Sequence, residues 1–196
     1  MGIDVSRFHP HNVTDTCAVW HVLSSQILYA TALSMGCHFC ITQFVLYECL
    51  FKPRTHSLIG RELQSRLRRE QSKGIFKSYP LAVEDLQDIG ILENRQRLSK
   101  GELSSIAFAK KTSQAFLTDD QGARKLARGV VTQGVQTTPH LFGWLFFSGH
   151  LADGDRTALI REHEAMGGRL SRYFEEMYLE SLRCRLMASH SKTADK

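Results

Sequence analysis

Short apolar stretches alternate with longer amphipathic stretches along most of this 196-residue chain, and the alternation limits the folds it can adopt. The apolar stretches favour strands and lie at about 12–17, 38–42, 75–81, 114–118 and 134–138. Helical patterns fill the intervals. Strands joined through helices pair in parallel, because each parallel connection needs a crossover that packs on a face of the sheet. The sequence therefore predicts an α/β fold with a central parallel sheet and helices on both faces.

The spacing of these patterns also predicts how the chain is organised. Pro53 and Gly74 bound a strongly charged helical pattern, and one or two further amphipathic helices are predicted at about 155–190. The sequence contains no internal repeat and no linker long enough to divide it. We therefore expect one compact unit, with a core domain at 11–150 and a helical C-terminal extension with a polar tail at 151–196.

Composition predicts a cytoplasmic protein that does not span a membrane. No apolar run reaches the roughly 18 residues of a membrane helix, and the first ten residues lack the features of a secretory signal. The five cysteines are an odd number, which argues against a disulfide framework. Cys37 and Cys40 form a CxxC, but no second pair completes a four-ligand zinc site, so they are more typical of core positions on a strand.

Two acidic residues stand out near the start of the chain. Between Val5 and Arg61 the only acids are Asp15, in DTCAVW, and Glu48, in FVLYECLF. An ionised carboxylate in apolar surroundings needs a cation or hydrogen-bond donors to offset its desolvation. A bound metal ion would supply such a cation.

Further acids follow the fourth predicted strand or open a helix beside it. Glu102 begins the helix GELSSIAFAK, while Asp119 and Asp120 directly follow AFLT. In a parallel sheet, the strand-to-helix junctions lie at the carboxyl edge, where such folds bind ligands. Several carboxylates at that edge could hold Mg²⁺ or Mn²⁺, which take oxygen ligands and assist phosphodiester hydrolysis.

Each of these acids also has a purely structural interpretation. Asp15 and Asp119 are placed to cap the helices that follow them, and Ser99 with Glu102 forms a capping box. Glu48 is one turn from Lys52 and could pair with it. Residue by residue, the sequence leaves these alternatives open.

Basic residues cluster in two regions of a chain whose formal net charge is +5. Eight basic residues face three acids at 95–128. Such clusters would attract a nucleic-acid backbone, although a solvated helix face explains the first cluster equally well. That first cluster, at 61–77, comprises Arg61, Arg66, Arg68, Arg69, Lys73 and Lys77.

Taken in order, these motifs resemble the PIN-domain family of small α/β metal-dependent nucleases. The resemblance rests on NVTDTCAVW, FVLYECL, LSKGELSSIAFAKK and AFLTDDQGARKLARG, and extends to GVQTTPHLFGWLFFSGHL. It implies an endoribonuclease, with RNA favoured over DNA, that uses one or two Mg²⁺ or Mn²⁺ ions. The family includes toxins of toxin–antitoxin pairs, so an antitoxin and a second copy of this chain are the protein partners that it suggests.

Carried over by position, the resemblance implies catalytic, metal-binding carboxylates at Asp15, Glu48, Glu102 and Asp120, with Asp119 as a further metal ligand. Thr118 matches the hydroxyl of the T-x-D motif. Nucleic-acid contacts are then expected from Thr118 itself and from the nearby basic residues Arg124, Arg66, Arg68, Arg69 and Lys73.

Two other functions fit the same sequence features. A non-catalytic module of this type would bind nucleic acid or protein through its basic surface and C-terminal helices, and its acids would only cap helices. A phosphatase would use the same carboxylates on small phosphoesters.

Overall fold

The computed structural model describes residues 4–52, 57–93 and 98–194, which form an α/β structure around a parallel sheet. Five strands pair within these residues in the order β3-β2-β1-β4-β5, and all four pairings are parallel. The predicted α/β fold with a parallel sheet is therefore confirmed. The strands are β1 (His11–Thr14), β2 (His38–Thr42), β3 (Lys77–Tyr79), β4 (Ala115–Leu117) and β5 (Val135–Gln136).

Helices connect the strands and continue after the last one. In chain order the described helices are α1 (Thr16–Ser24), α2 (Gln26–Ser34), α3 (Gln43–Leu50), α4 (Leu58–Ser72), α5 (Val83–Glu93), α6 (Lys100–Thr112), α7 (Gln121–Ala127), α8 (Thr138–Phe147), α9 (Asp153–Ala165) and α10 (Ser171–Ala194).

The helices bury two separate apolar clusters against the sheet. On β4 the neighbouring residues Phe116 and Leu117 belong to different clusters, because successive side chains of a strand point to opposite faces. Phe116 packs with α5, α6 and α7, and Leu117 packs with α1–α4 and α8–α10. The sheet is thus covered by helices on both faces.

The C-terminal helices pack onto the rest of the chain. The rings of Phe142 on α8 and Phe174 on α10 stack with centroids 4.8 Å apart, and Tyr178 meets Phe146 edge-on at 5.1 Å. Aromatic pairs of this kind bury large areas and prefer these offset or edge-to-face arrangements. The apolar side chains of α9 and the first half of α10 therefore continue the core that lies under α8.

The structure differs from the sequence predictions at several element ends. Strand β1 ends at Thr14 rather than 17, because Asp15 already caps α1. The helical interval between the first two strands contains two helices, since the Ser25 side chain caps α2 by accepting from Leu28 N. The predicted helix boundary at Pro53 lies outside the described residues.

Two remaining predictions concern the cysteines and membranes. Burial raises the pKa of both the Cys37 and Cys40 thiols to about 12. Both thiols are free, with Cys37 buried and Cys40 partly buried on β2. Among the described helices, none combines the length and apolar character needed to cross a membrane.

Candidate functional site at the acidic edge

Five carboxylates lie at one edge of the sheet, where the parallel strands end and helices begin. Strand β1 leads into Asp15, β2 leads into the helix that carries Glu48, and β4 leads into Asp119 and Asp120. Because β1 lies between β2 and β4, these three strand ends are neighbours. Glu102 joins them from the start of α6. We call Asp15, Glu48, Glu102, Asp119 and Asp120 the acidic edge.

Asp15 is completely buried and receives only neutral donors. Its Oδ1 accepts from Ala18 N at 2.9 Å and from Cys17 Sγ at 3.1 Å, while its Oδ2 accepts from Thr118 Oγ1 at 2.5 Å. Burial raises the pKa of Asp15 to about 7, against the opposing effect of these hydrogen bonds, and the nearby charge of Asp119 raises it further. Asp15 is thus a helix cap to which the described residues offer no cation.

Thr118 connects Asp15 to Asp120. Its hydroxyl donates to Asp15 and accepts from Asp120 N at 3.1 Å. Asp120 in turn caps α7 by accepting from Ala123 N at 2.7 Å through Oδ1. Since Thr118 is fully buried, its hydroxyl positions these carboxylates rather than lying on the surface.

Glu48 is held between the starts of two helices. Its Oε1 accepts from Gly101 N at 3.1 Å, and its Oε2 accepts from Thr16 Oγ1 at 2.5 Å. A Cβ at position 101 would lie 2.4 Å from Oε2, so this approach requires the glycine. The alternative pairing with Lys52 is not among the ion pairs of the described residues.

Glu102 forms the capping box expected from the sequence. Its Oε2 accepts from Ser99 N at 2.7 Å, and its own N donates to Ser99 Oγ at 3.2 Å. Burial raises the pKa of Glu102, and the charges of Asp120 and Glu48 add to this effect. The negative charges of Glu48 and Asp120 therefore both act on the Glu102 carboxylate.

Asp119 binds the start of a different helix from the one that its sequence position suggests, although Thr137 is the N-cap of that helix. It accepts from Thr138 N at 2.9 Å and Thr138 Oγ1 at 2.6 Å at the start of α8, while Asp120 caps α7. His21 Nδ1 lies 2.7 Å from Asp119 Oδ2. Asp119 therefore joins α1 to α8, and all of its described contacts are to protein groups.

The donor chemistry of the acidic edge fits a hard cation. All of its ligand atoms are oxygens, and no Lys or Arg of the described residues forms an ion pair with Asp15, Glu48, Glu102 or Asp120. Glu102 Oε1 and Asp120 Oδ2 accept no hydrogen bond from the described residues. In this conformation, however, no three His, Cys, Asp or Glu residues of the described ranges are grouped closely enough to hold a metal ion.

The predicted nucleic-acid contacts divide into engaged and available side chains. Arg66 donates to Leu23 O at 2.9 Å and Ser24 O at 3.3 Å, at the end of α1. Arg69 and Lys73 bind the buried carboxylate of Glu70. These three cations therefore stabilise the fold.

Arg68 and Arg124 are the available members of the predicted set. Arg68 is exposed on α4 and lines a cavity of about 550 Å³ with Trp20 and His21. Arg124 lies beside Asp119 in a smaller cavity, and its buried Nε has no described partner. Both can contact a ligand without giving up a described protein contact.

Sequence reasoning missed the polar residues that support the acidic edge. His21 is 98 residues from Asp119, and no ligand spacing connects it to another histidine or acid. Thr16 and Thr138 look like ordinary helix-start residues, yet their hydroxyls bind Glu48 and Asp119. Their only signal is that each lies at the end of a predicted strand, where a parallel sheet places its ligand-binding edge.

No protein-family model matches this chain, and no curated protein sequence matches it. The resemblance to the PIN-domain family therefore rests on the motifs quoted above.

Proposed function

We propose that the acidic edge hydrolyses phosphodiester bonds in RNA with Mg²⁺ or Mn²⁺ as cofactor. The observation that carries this proposal is a concentration of carboxylates to which the described residues offer no Lys or Arg partner. Asp15 is fully buried there with its pKa raised to about 7, and the pKa of Glu102 is also raised. Such an uncompensated cluster at the ligand-binding edge of a parallel sheet favours a cation as its missing partner.

We assign the ion-holding role first to Glu102 and Asp120, whose Oε1 and Oδ2 atoms have no described donor. Glu48 adds a third carboxylate at this edge, where Gly101 N and Thr16 bind its two oxygens. A bound divalent ion supplies charge stabilisation on the phosphate and lowers the pKa of the attacking water. RNA is the favoured substrate because of the family resemblance.

The other two acids act as positioning residues in this proposal. Asp15 accepts a hydrogen bond from the Thr118 hydroxyl, which in turn accepts from Asp120 N. In this proposal Asp15 therefore positions Asp120 through Thr118. Asp119 is saturated by Thr138 and His21, and it anchors the start of α8 beside Arg124. Arg124 is then available to neutralise a phosphate of the substrate.

A cleavage assay tests the proposal directly. Purified protein is incubated with labelled single-stranded RNA and DNA in Mn²⁺, Mg²⁺ or EDTA, beside Asp120→Asn, Glu102→Gln and Asp15→Asn. We expect metal-dependent cleavage that Asp120→Asn and Glu102→Gln lower on the order of 100-fold. Asp15→Asn should lower it about 10–100-fold, the usual effect of losing an indirect support of a metal ligand. Glu70→Gln is the matched control, since Glu70 is also a buried acid but lies on α4 with its own cations.

Cleavage that persists in EDTA, or that survives Asp15→Asn, would contradict the proposal. One observation favours the second candidate, a non-catalytic RNA-binding module. Each of the five carboxylates already accepts an N–H at or near a helix start. That candidate predicts RNA binding that is unchanged by EDTA and by Asp120→Asn, with no cleavage by a folded preparation.

A further inference from the structure

Two aromatic rings stand exposed on the outer side of α3, next to the acidic edge. Tyr47 is 53% exposed and Phe51 is 63% exposed, although large apolar side chains usually lie inside. Their rings stack with centroids 6.5 Å apart and an interplanar angle of 22°. Glu48 of the acidic edge follows Tyr47 directly in the chain.

Cavities open on both sides of this aromatic pair. One has a volume of about 760 Å³ and is lined by Tyr47, Glu48 and Lys100 among others. The other has a volume of about 550 Å³ and is lined by Phe51, Trp20 and His21 among others. Both volumes lie in the roughly 300–1,000 Å³ range of small-ligand sites, so each could receive a base or nucleoside.

Positive side chains line the same two cavities. Lys52 borders both, Lys100 borders the first, and Arg61 and Arg68 border the second. All four are exposed and form no ion pair with the described residues. Aromatic rings interleaved with unpaired cations are typical of surfaces that bind single-stranded nucleic acid, where bases stack and phosphates meet the cations.

We propose that Tyr47 and Phe51 form a base-stacking platform for a single-stranded polynucleotide that passes Glu48, with bases in the two cavities and Lys52 between them. This inference rests on the proposed function, because the strand would then carry a phosphodiester past the acidic edge. A duplex fits poorly, since stacking on protein rings needs free base faces. The surrounding positive charge favours this occupant over an apolar protein partner.

Equilibrium binding in EDTA tests the platform without any need for cleavage. Fluorescence anisotropy is measured with labelled single strands of about 12 nucleotides, as RNA and as DNA, with the corresponding duplexes, and with strands of the same length made abasic at every position. The proteins are the wild type, the double variant Tyr47→Ala with Phe51→Ala, and Phe51→Trp. Leu186→Ala is the matched control, because Leu186 on α10 is also 63% exposed.

We expect the double variant to bind base-bearing strands about 30-fold more weakly, within the range set by stacking of one or two bases. Its affinity for the abasic strands should stay within about 2-fold of the wild type, because phosphate contacts are unchanged. Phe51→Trp and Leu186→Ala should bind like the wild type. The RNA and DNA arms show which polynucleotide the platform prefers.

Equal weakening on base-bearing and abasic strands would overturn the proposal, as would unchanged binding, preference for a duplex, or no binding by the wild type. Loss of self-association in the double variant without loss of affinity for single strands would instead make the rings a protein interface. Base-dependent binding without metal-dependent cleavage would keep the platform and remove the hydrolase. Metal-dependent cleavage together with unchanged affinity of the double variant would keep the hydrolase and remove the platform.

Discussion

Asp15 and Glu70 are both almost completely buried carboxylates, but the fold treats them in opposite ways. Glu70 accepts from Lys73 Nζ at 2.9 Å, from Tyr29 OH at 2.8 Å and from Arg69 Nε at 3.2 Å. Burial alone would raise its pKa, but these hydrogen bonds outweigh burial and lower it. Asp15 has only N–H, S–H and O–H donors, and its pKa is raised to about 7.

The contrast separates an acid whose charge is neutralised within the fold from one to which the described residues offer no Lys or Arg. Glu70 receives its counter-charge from its own helix α4, so the ion pairs are complete once the helix packs. At the acidic edge, no Lys or Arg of the described residues forms an ion pair with any of the five carboxylates. A buried charge without a counter-ion is costly, and proteins usually retain one where a ligand needs it.

The largest expected effect is an opposite pH dependence of stability at these two acids. The folded pKa of Asp15, about 7, exceeds its ordinary value of 3.8, so its contribution falls as pH rises between those values. Relative to the wild type in EDTA, Asp15→Asn should therefore gain about 3 kcal/mol of unfolding free energy between about pH 5 and about pH 8. Urea denaturation at both pH values measures this difference.

Glu70→Gln is the opposing variant in that experiment. The folded pKa of Glu70 is lowered, so its contribution is present above its ordinary value of 4.5 and is lost as pH falls. Glu70→Gln should thus be less stable than the wild type at neutral pH, with a gap that closes in acid. His163, whose pKa burial lowers to about 4, titrates in every variant and cancels from the differences. If the unfolding free energies of the two variants changed with pH in parallel, the two acids would not differ in this way.

A smaller effect is expected from breaking the contact between Glu48 and α6. Gly101→Ala would place a Cβ 2.4 Å from Glu48 Oε2, so the carboxylate must move from Gly101 N. We expect a loss of about 2 kcal/mol in unfolding free energy, the usual cost of overpacking, together with weaker cleavage. Gly154→Ala on α9 is the control, since its added Cβ meets nothing within 4 Å. Equal effects at both glycines would show that the close approach is unimportant.

Much of the fold could be predicted because its signal is local. The periodicity of apolar residues marks each strand and helix, and alternation of the two requires a parallel sheet. The break at Ser25 could not be predicted in this way. Ser25 Oγ and Ile27 N both donate to Glu162, a residue 137 positions from Ser25 that only the folded chain brings near.

The sequence could predict which edge of the sheet carries the acids, but not the hydrogen bonds that each acid forms there. Asp15 and Asp120 follow strands, so topology alone places them together. Whether each carboxylate keeps an open oxygen depends on helix starts and hydroxyls from distant segments, such as Thr138 beside Asp119. Charge counting was least informative, because it cannot tell Arg66, which caps α1, from Arg68, which faces solvent.

The smallest effect concerns those two arginines, one bound to the protein and the other exposed to solvent. Arg66→Ala removes the bonds to Leu23 O and Ser24 O, and should lower the unfolding free energy by about 1–2 kcal/mol. Arg68→Ala should leave stability within about 0.5 kcal/mol, since Arg68 is exposed without a described partner.

Affinity for single-stranded RNA should show the opposite order. If Arg68 meets a phosphate, Arg68→Ala weakens binding and reduces the slope of log affinity against log salt by about 1. Arg66→Ala should leave that slope unchanged, because its guanidinium is already committed to α1 and Glu62. Anisotropy titrations at several salt concentrations, with both variants verified as folded, measure the slopes. Neither variant changes a residue of the acidic edge. If the slope falls in Arg66→Ala instead, nucleic acid must bind a cation that also holds the fold together. In that case, protein contacts alone would not identify the cations that bind phosphates.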